Sequence, residues 1–395
     1  MYDTVIVGGG LAGLTVALEL ARRAQREESV CLLERAPVIG GRALTYRKDG
    51  LQYEIGAGRI YKDHARVNQL VKRYKLKTFP ITSESDFQDA PNPFLDMMNP
   101  ILRILETLPP HELAKNTLTE LIPDTFAPIL SMYPYTSELR VLRADKAIEA
   151  FRNEMGAKGP EDYYGLVDGI DVLATKLAEG ARSQGVAIKT DWHVQDVKRI
   201  KDELFEITGP SGSIQAKRVV FATDLDALRK FPILRGSPFL QQIQSAALLR
   251  MYAVYPPNTD GTVWFTGKPK RVTAGKLRYV IPINPKSGLI MISYTDGKDT
   301  EFWRNLDGES LRSALAKEVA KEFPDLMIPE PTFIKKHYWN SGCAYWLPGE
   351  YDVEEASFAA HNPSKNIYVC GESISLNQAW IEGALESAEK LLRLL

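Results

Sequence analysis

Near the N-terminus, residues 5–20 read VIVGGGLAGLTVALEL, and Gly8, Gly10 and Gly13 within them are spaced G-x-G-x-x-G. An apolar run at residues 4–7 leads in, and a helical pattern from Leu14 to about Arg23 leads out. A strand, a glycine turn and a helix in that order can hold a dinucleotide pyrophosphate. Gly8 permits the tight turn, Gly10 lets the phosphates approach the backbone, and Gly13 lets helix and strand pack closely. The helix N-terminus adds unpaired N–H groups and a partial positive charge. Glu34 ends the next apolar run, SVCLLE, 21 residues after Gly13. A carboxylate at that distance can reach a ribose hydroxyl. Directly behind it, ERAPVIGGRALTY carries Gly40 and Gly41, where the backbone can pass close to a ligand. Arg42 follows, and its planar fork suits a diphosphate.

These residues need a sheet with flanking helices to bring them together. Residues 1 to about 75 read as strand, helix, strand and a long loop; residues 80–160 read as helical, with prolines as punctuation. Two β-rich stretches follow, VAIKTDWHVQDVKRI with LFEITGPSGSIQAKRVVFAT, and then residues 243–294. Leu311, Leu315, Val319 and Phe323 share one face of a helix. NIYVCGES reads as a buried strand ending in glycine, and IEGALESAEKLLRLL as a closing helix. This last strand–glycine–helix unit is of the same kind as the first. The pattern therefore predicts an α/β chain whose cofactor domain is discontinuous, with a second domain inserted.

Composition narrows the partners. The 395 residues suffice for two domains, and 49 Lys+Arg against 50 Asp+Glu give no reason to expect nucleic acid or an anionic membrane. Cys31, Cys343 and Cys370 are odd in number and far apart, so neither a disulfide framework nor a metal site is expected. The first strand begins at residue 3 and no apolar run approaches the ~20 residues of a membrane span. A soluble protein of a reducing, cytoplasmic compartment is the expectation. The histidines (His64, His111, His193, His337 and His361) are scattered and form no catalytic constellation with Ser or Asp.

VIVGGGLAGL, the E-R-x(4)-GGR run and GES…AWIEGALESAEKLL together resemble the FAD-dependent amine oxidases, which include monoamine, polyamine and L-amino-acid oxidases. The resemblance covers residues 1–80, 160–225, 245–300 and 335–395 in patches; residues 85–155 match nothing recognisable. It implies a Rossmann-type FAD-binding domain in three segments (1–78, 161–235 and 363–395). A helical part (79–160) and a β-sheet region (236–362) would form the substrate domain. It places the pyrophosphate at Gly8, Gly10 and Gly13 and the adenosine ribose at Glu34 and Arg35. Gly41, Arg42, Gly56 and Ala57 would lie against the phosphates and the flavin. Val194 would offer backbone groups to the adenine, and Ala222 would sit at the crossover to the substrate domain. Gly371, Glu372 and Ser373 would reach the ribityl chain and phosphate. Ile381, at the start of the last helix, would aim its N–H at flavin O2, where a helix N-terminus favours developing negative charge.

The same resemblance points to a branch. In YEIGAGRIYKDHARVNQLVKRYKLKTF, Arg59 falls on the arginine that holds the substrate α-carboxylate in L-amino-acid oxidases. Trp380 matches the ring beside the flavin, and Tyr345, with Trp346 as the alternative, matches the opposite aromatic wall. Two positions depart from the pattern. Arg250 stands where the family usually has a lysine near N5, which puts fast reaction with oxygen in doubt. Ile281 stands where amino-acid oxidases pair their arginine with a tyrosine. Cys343 is out of register for covalent attachment, so FAD is expected to be non-covalent. The implied reaction is oxidation of a C–N bond to an imine, with hydride transfer to N5 and reoxidation by O2 to H2O2. The implied substrate is an amino acid; a simple amine or polyamine is the alternative. A desaturase or isomerase of an isoprenoid-type substrate, and a flavoprotein with weakened catalysis, are the remaining readings.

Overall fold

The computed structural model describes residues 1–23, 28–81, 85–87, 90–91, 93–122, 133–154 and 163–395. Strand Tyr2–Val7 is the centre of a seven-stranded sheet. Val30–Leu33 lies parallel to it on one side and Gly212–Phe221 on the other. Ala187–Lys189 extends the sheet beyond Val30–Leu33, and Ile367–Val369 pairs parallel with Gly212–Phe221. Leu204–Gly209 and Asp196–Lys201 complete it as antiparallel strands. One sheet thus gathers strands from the beginning, the middle and the end of the chain.

Alternation of side chains sets its two faces. Val5, Val7, Val219 and Phe221 pack in one core, with Phe205 and Ile207. Ile6, Leu32 and Val220 pack in another, against Leu14 and Leu18 of helix Leu11–Arg23. Leu177 of helix Val172–Ser183 and Leu385 of helix Ile381–Leu392 close that layer. These strands are buried on both faces, as parallel sheets covered by helices are.

The second sheet is also seven-stranded and is built around Ile243–Val254. Phe333–Trp346 and Leu289–Asp296 flank it as antiparallel partners. Leu311, Leu315, Val319 and Phe323 pack beneath it on Leu249, Met251 and Ile290. Helix Gly308–Glu322 carries the first three, and Phe323 is its C-cap.

The stretch expected to be helical differs. Ser85–Phe87 and Ala90–Pro91 are strands, and helices begin only at Pro93–Leu105. Ser85–Phe87 pairs parallel with Lys270–Val272, far away in sequence, so no local pattern could announce it. Residues 123–132 of the same expected helical stretch lie outside the described residues. The first helix begins at Leu11, one turn before the expected Leu14. Among the described residues, no helix is long and apolar enough to cross a membrane.

Candidate active site

A cavity of about 790 Å³ opens at the carboxyl ends of the parallel strands, where Val7, Leu33 and Ala222 line it. Open α/β sheets bind ligands at that end. The three glycines do separate jobs. Gly8 has φ 114°, and a Cβ on it would stand 2.5 Å from the Ala222 carbonyl oxygen. A Cβ on Gly13 would stand 2.1 Å from the Gly8 carbonyl oxygen. A Cβ on Gly10 would meet no atom within 4 Å, because it would project into the cavity. Gly41, with φ 59°, approaches Gly10 so closely that its Cβ would lie 3.3 Å from the Gly10 Cα. A Cβ on Gly56 would clash with the Arg42 carbonyl, which the Ala57 N–H reaches at 2.9 Å.

Glu34 is buried, and its carboxylate is fixed by the backbone. Oε2 accepts from the Gly9 N–H at 2.7 Å and Oε1 from the Ala36 N–H at 2.8 Å. Gly9, which the motif leaves unassigned, is needed because a Cβ there would press on the Glu34 side chain at 3.0 Å. Arg35 lines the same end but is largely exposed, 3.7 Å from Asp224. Trp192, His193 and Val194 form the opposite lip.

Arg42 lines the cavity and is paired within the protein. Its Nη1 lies 2.8 Å from Glu372 Oε2 and donates to the Gly342 carbonyl at 2.9 Å. Glu372 and Gly371 line the cavity; Ser373 lies behind them, buried. Ser373 Oγ and Thr223 Oγ1 are buried with no hydrogen-bond partner among the described residues, and Glu372 Oε2 faces Arg42. Thr223 also lines the cavity, and no motif pointed to it. Two waiting oxygens beside a glycine cradle that a side chain would fill suit a ligand rich in hydroxyl and phosphate groups, as FAD is. Ile381 lines the cavity at the start of the closing helix, whose first turn has no side-chain cap.

Beside the far end, where Arg250, Tyr294 and Trp380 line the cavity, stands an aromatic cluster around Arg59; Arg59, Tyr135 and Tyr163 are not themselves among the lining residues. The Arg59 guanidinium lies 5.1 Å from the Tyr163 ring and 5.5 Å from the Trp380 ring. Its Nη2 donates to the Tyr135 hydroxyl at 3.1 Å, and no carboxylate pairs with it among the described residues. Burial raises the Tyr135 hydroxyl well above its ordinary pKa, against the opposing pull of Arg59, so it stays protonated. Arg250 lines the cavity, lies 4.6 Å from the Tyr294 ring and donates to the Glu54 carbonyl at 3.2 Å. Burial and then repulsion from Arg59 bring Lys270 down to about 7.

Tyr345 is not where the resemblance put it. It is 3% exposed, packs in the core and is not among the residues lining the cavity. It pairs with Gln244, two residues along the strand from Cys343, the last residue of that strand to line the cavity. Trp346 is likewise in the core, its indole donating to the Ser375 carbonyl at 2.9 Å. Tyr294 supplies the cavity's ring on that side, and Tyr135 and Tyr163 join Trp380 around Arg59. Tyr135 was out of reach of the sequence because the segment around it resembles nothing.

The fold and the site define a dinucleotide-binding α/β protein with an aromatic cluster beside its cavity. Residues 135–390 match the profile of the flavin containing amine oxidoreductases, and residues 6–74 that of an NAD(P)-binding Rossmann-like domain. The chain belongs to the flavin-containing amine oxidoreductase family and is an FAD-dependent amine oxidase. An L-amino-acid oxidase of Crotalus adamanteus is 23% identical over 97% of this chain and 84% of its own length. Amine oxidase [flavin-containing] A of Bos taurus is 33% identical over 20% of this chain and 15% of its own. In fold, the chain is similar to putrescine oxidase bound to putrescine, with a TM-score of 0.77, and to cyclohexylamine oxidase from Brevibacterium oxydans IH-35A, at 0.76. Each is 16% identical, with 100% of this chain and 98% of the other covered.

Proposed function

We propose that this amine oxidase acts on L-α-amino acids and that Arg59 holds the substrate carboxylate. The observation that carries this reading is a guanidinium set among aromatic rings, with no carboxylate partner among the described residues. A half-buried cation without a counter-charge is under-compensated, and a substrate carboxylate would supply the missing partner. The Tyr135 hydroxyl accepts from Arg59 and keeps its own proton, so it can donate to the second carboxylate oxygen. Trp380 and Tyr163 wall the chamber. Arg59 and Arg250 make it electropositive, which favours the neutral amine over the ammonium ion, and the neutral form is the one oxidised.

Gly8, Gly10, Gly13, Glu34 and the groups around Gly371 would hold FAD. FAD held there would supply the two-electron acceptor for the hydride equivalent of the amine carbon, with O2 as the terminal acceptor reduced to H2O2. The Cys343 thiol lines the cavity, but burial pushes its pKa up, so it stays a poor nucleophile. That supports non-covalent FAD. The imine product hydrolyses to a 2-oxo acid and ammonia.

The test is an anaerobic screen of the L-amino acids and common amines and polyamines, followed by loss of flavin absorbance. Bleaching by at least one amino acid, and not by the amine lacking its carboxylate, is the expected result. Bleaching by amines alone would overturn the amino-acid reading and leave the amine oxidase intact.

A further inference from the structure

One residue beside the chamber sits in a backbone conformation its side chain disfavours. Ala379 has φ 68°, in the left-handed region, and directly precedes Trp380, the N-cap of the closing helix. Its N–H donates to Glu372 Oε1 at 2.8 Å. The same oxygen accepts from the Ala344 N–H at 2.9 Å, on the long strand Phe333–Trp346. Oε2 faces Arg42 at 2.8 Å. The neighbouring loop is tied down as well: Gln378 accepts from the Trp346 N–H at 2.8 Å and donates to the Ser373 carbonyl at 2.7 Å.

We propose that Glu372 is a positioning residue for Trp380: one carboxylate oxygen holds Ala379 in its left-handed turn and so fixes the indole, while the other balances Arg42 on the cofactor side. The inference rests on the reading of Trp380 as a wall of the substrate chamber. A carboxylate that is 5% exposed joins three separate parts of the chain at residues 42, 344 and 379. Without it the Ala379 N–H loses its acceptor and the turn relaxes toward negative φ. The indole then leaves its place 6.2 Å from the Tyr163 ring and 4.9 Å from the His64 ring. Cofactor side and substrate side therefore share one anion, and the substrate wall depends on it.

The experiment uses the FAD-loaded enzyme and four variants. Glu372→Ala removes both contacts. Glu372→Gln keeps an oxygen for the two amides and gives up the ion pair with Arg42. Ala379→Gly in the Glu372→Ala background restores the turn without the carboxylate, because glycine adopts positive φ freely. Ala379→Val in the Glu372 background forbids the turn and leaves the carboxylate in place. One readout is the near-ultraviolet circular dichroism of Trp380, isolated by subtracting a Trp380→Phe variant; the other is kcat and KM taken separately. Glu372→Ala and Ala379→Val should lose the Trp380 band and raise KM about 10-fold or more, with a smaller change in kcat. Glu372→Gln should keep the band, and the glycine double variant should regain it. An unchanged band in Ala379→Val, or no recovery in the double variant, overturns the proposal. If only simple amines prove to be substrates, KM is measured with those, and the circular dichroism still decides the role of Glu372.

Discussion

The two ends of the cavity are built on different principles. At the cofactor end the surface is largely backbone, shaped by Gly8, Gly10, Gly13 and Gly41, and its charges are already matched. Glu34 is held by two amides and Arg42 by Glu372. At the other end the surface is side chain: Arg250, Tyr294 and Trp380 line it, and Arg59, Tyr135 and Tyr163 pack beside Trp380. There neither Arg59 nor Arg250 has a carboxylate partner among the described residues. One end is made by shape. On the proposed function the other would recognise by an unbalanced charge, and substitution there should change selectivity without dismantling the fold.

The largest effect should come from the glycines, and two of them separate fold from binding. Gly13→Ala puts a Cβ 2.1 Å from a backbone oxygen that cannot move aside, so no folded, yellow protein is expected. Gly10→Ala meets no protein atom within 4 Å. It should melt within a few degrees of the flavin-free wild type yet bind FAD at least about 100-fold more weakly, given the close approach the pyrophosphate needs there. Thermal melting and flavin titration check both, and full flavin retention by Gly10→Ala would break the contrast.

Next comes the chamber. Removing one partner of a buried charged pair costs about 2–5 kcal/mol. Arg59→Ala should therefore lower kcat/KM roughly 30- to 5000-fold for an amino acid, at 1.4 kcal/mol per tenfold. The amine without the carboxylate should lose little. Tyr135→Phe removes a single hydrogen bond to a charged group, worth about 1.5–3 kcal/mol. Its loss should be roughly 10- to 150-fold, seen mainly in KM, and again absent for the amine. Equal losses on both substrates would mean that these residues serve the fold.

Arg250 gives a smaller and opposite change. It is tied to the Glu54 carbonyl and lies against Tyr294, so its charge is fixed near the cavity. Arg250→Lys should speed return of flavin absorbance when the reduced enzyme meets oxygen in a stopped-flow instrument. An unchanged rate would remove Arg250 from the oxygen step.

The smallest effect is one of pH and lies behind the chamber. Burial, with Lys335 and Arg250 nearby, brings His337 down to about 4 from its ordinary 6.5. The unfolded chain takes up this proton first as the pH falls, so folded stability declines from about pH 6.5 down to about pH 4. His337→Gln, which can still meet the Tyr53 hydroxyl that His337 contacts at 3.1 Å, should flatten the decline in melting temperature over that window. A variant with the same slope as wild type would show that His337 does not carry it.

Reading the sequence worked where function is local. The glycine spacing, Glu34 and the start of the closing helix at Ile381 are each legible within a dozen or so neighbours. Gly9 was not, because its reason is the Glu34 side chain packed over it. Thr223 was not, because a lone threonine after an apolar strand carries no signal. Tyr345 looked like a wall residue from its neighbours, but the strand passes the cavity at Cys343 and Tyr345 packs in the core. Ile281 made the arginine look solitary, yet Tyr135 reaches it from a stretch that resembles nothing.

By itself, the sequence determined that this chain binds a dinucleotide at the first strand–turn–helix and that its cofactor sheet is assembled from both ends. Phosphate recognition by backbone depends on glycine spacing over a few residues, and that spacing is written in order along the chain. Only the tertiary structure decided which charges are matched and which are left open. Glu372 met Arg42 and Ala379, and Arg59 met Tyr135 and, among the described residues, no carboxylate, because a side chain's partner is set by how separate segments pack in space.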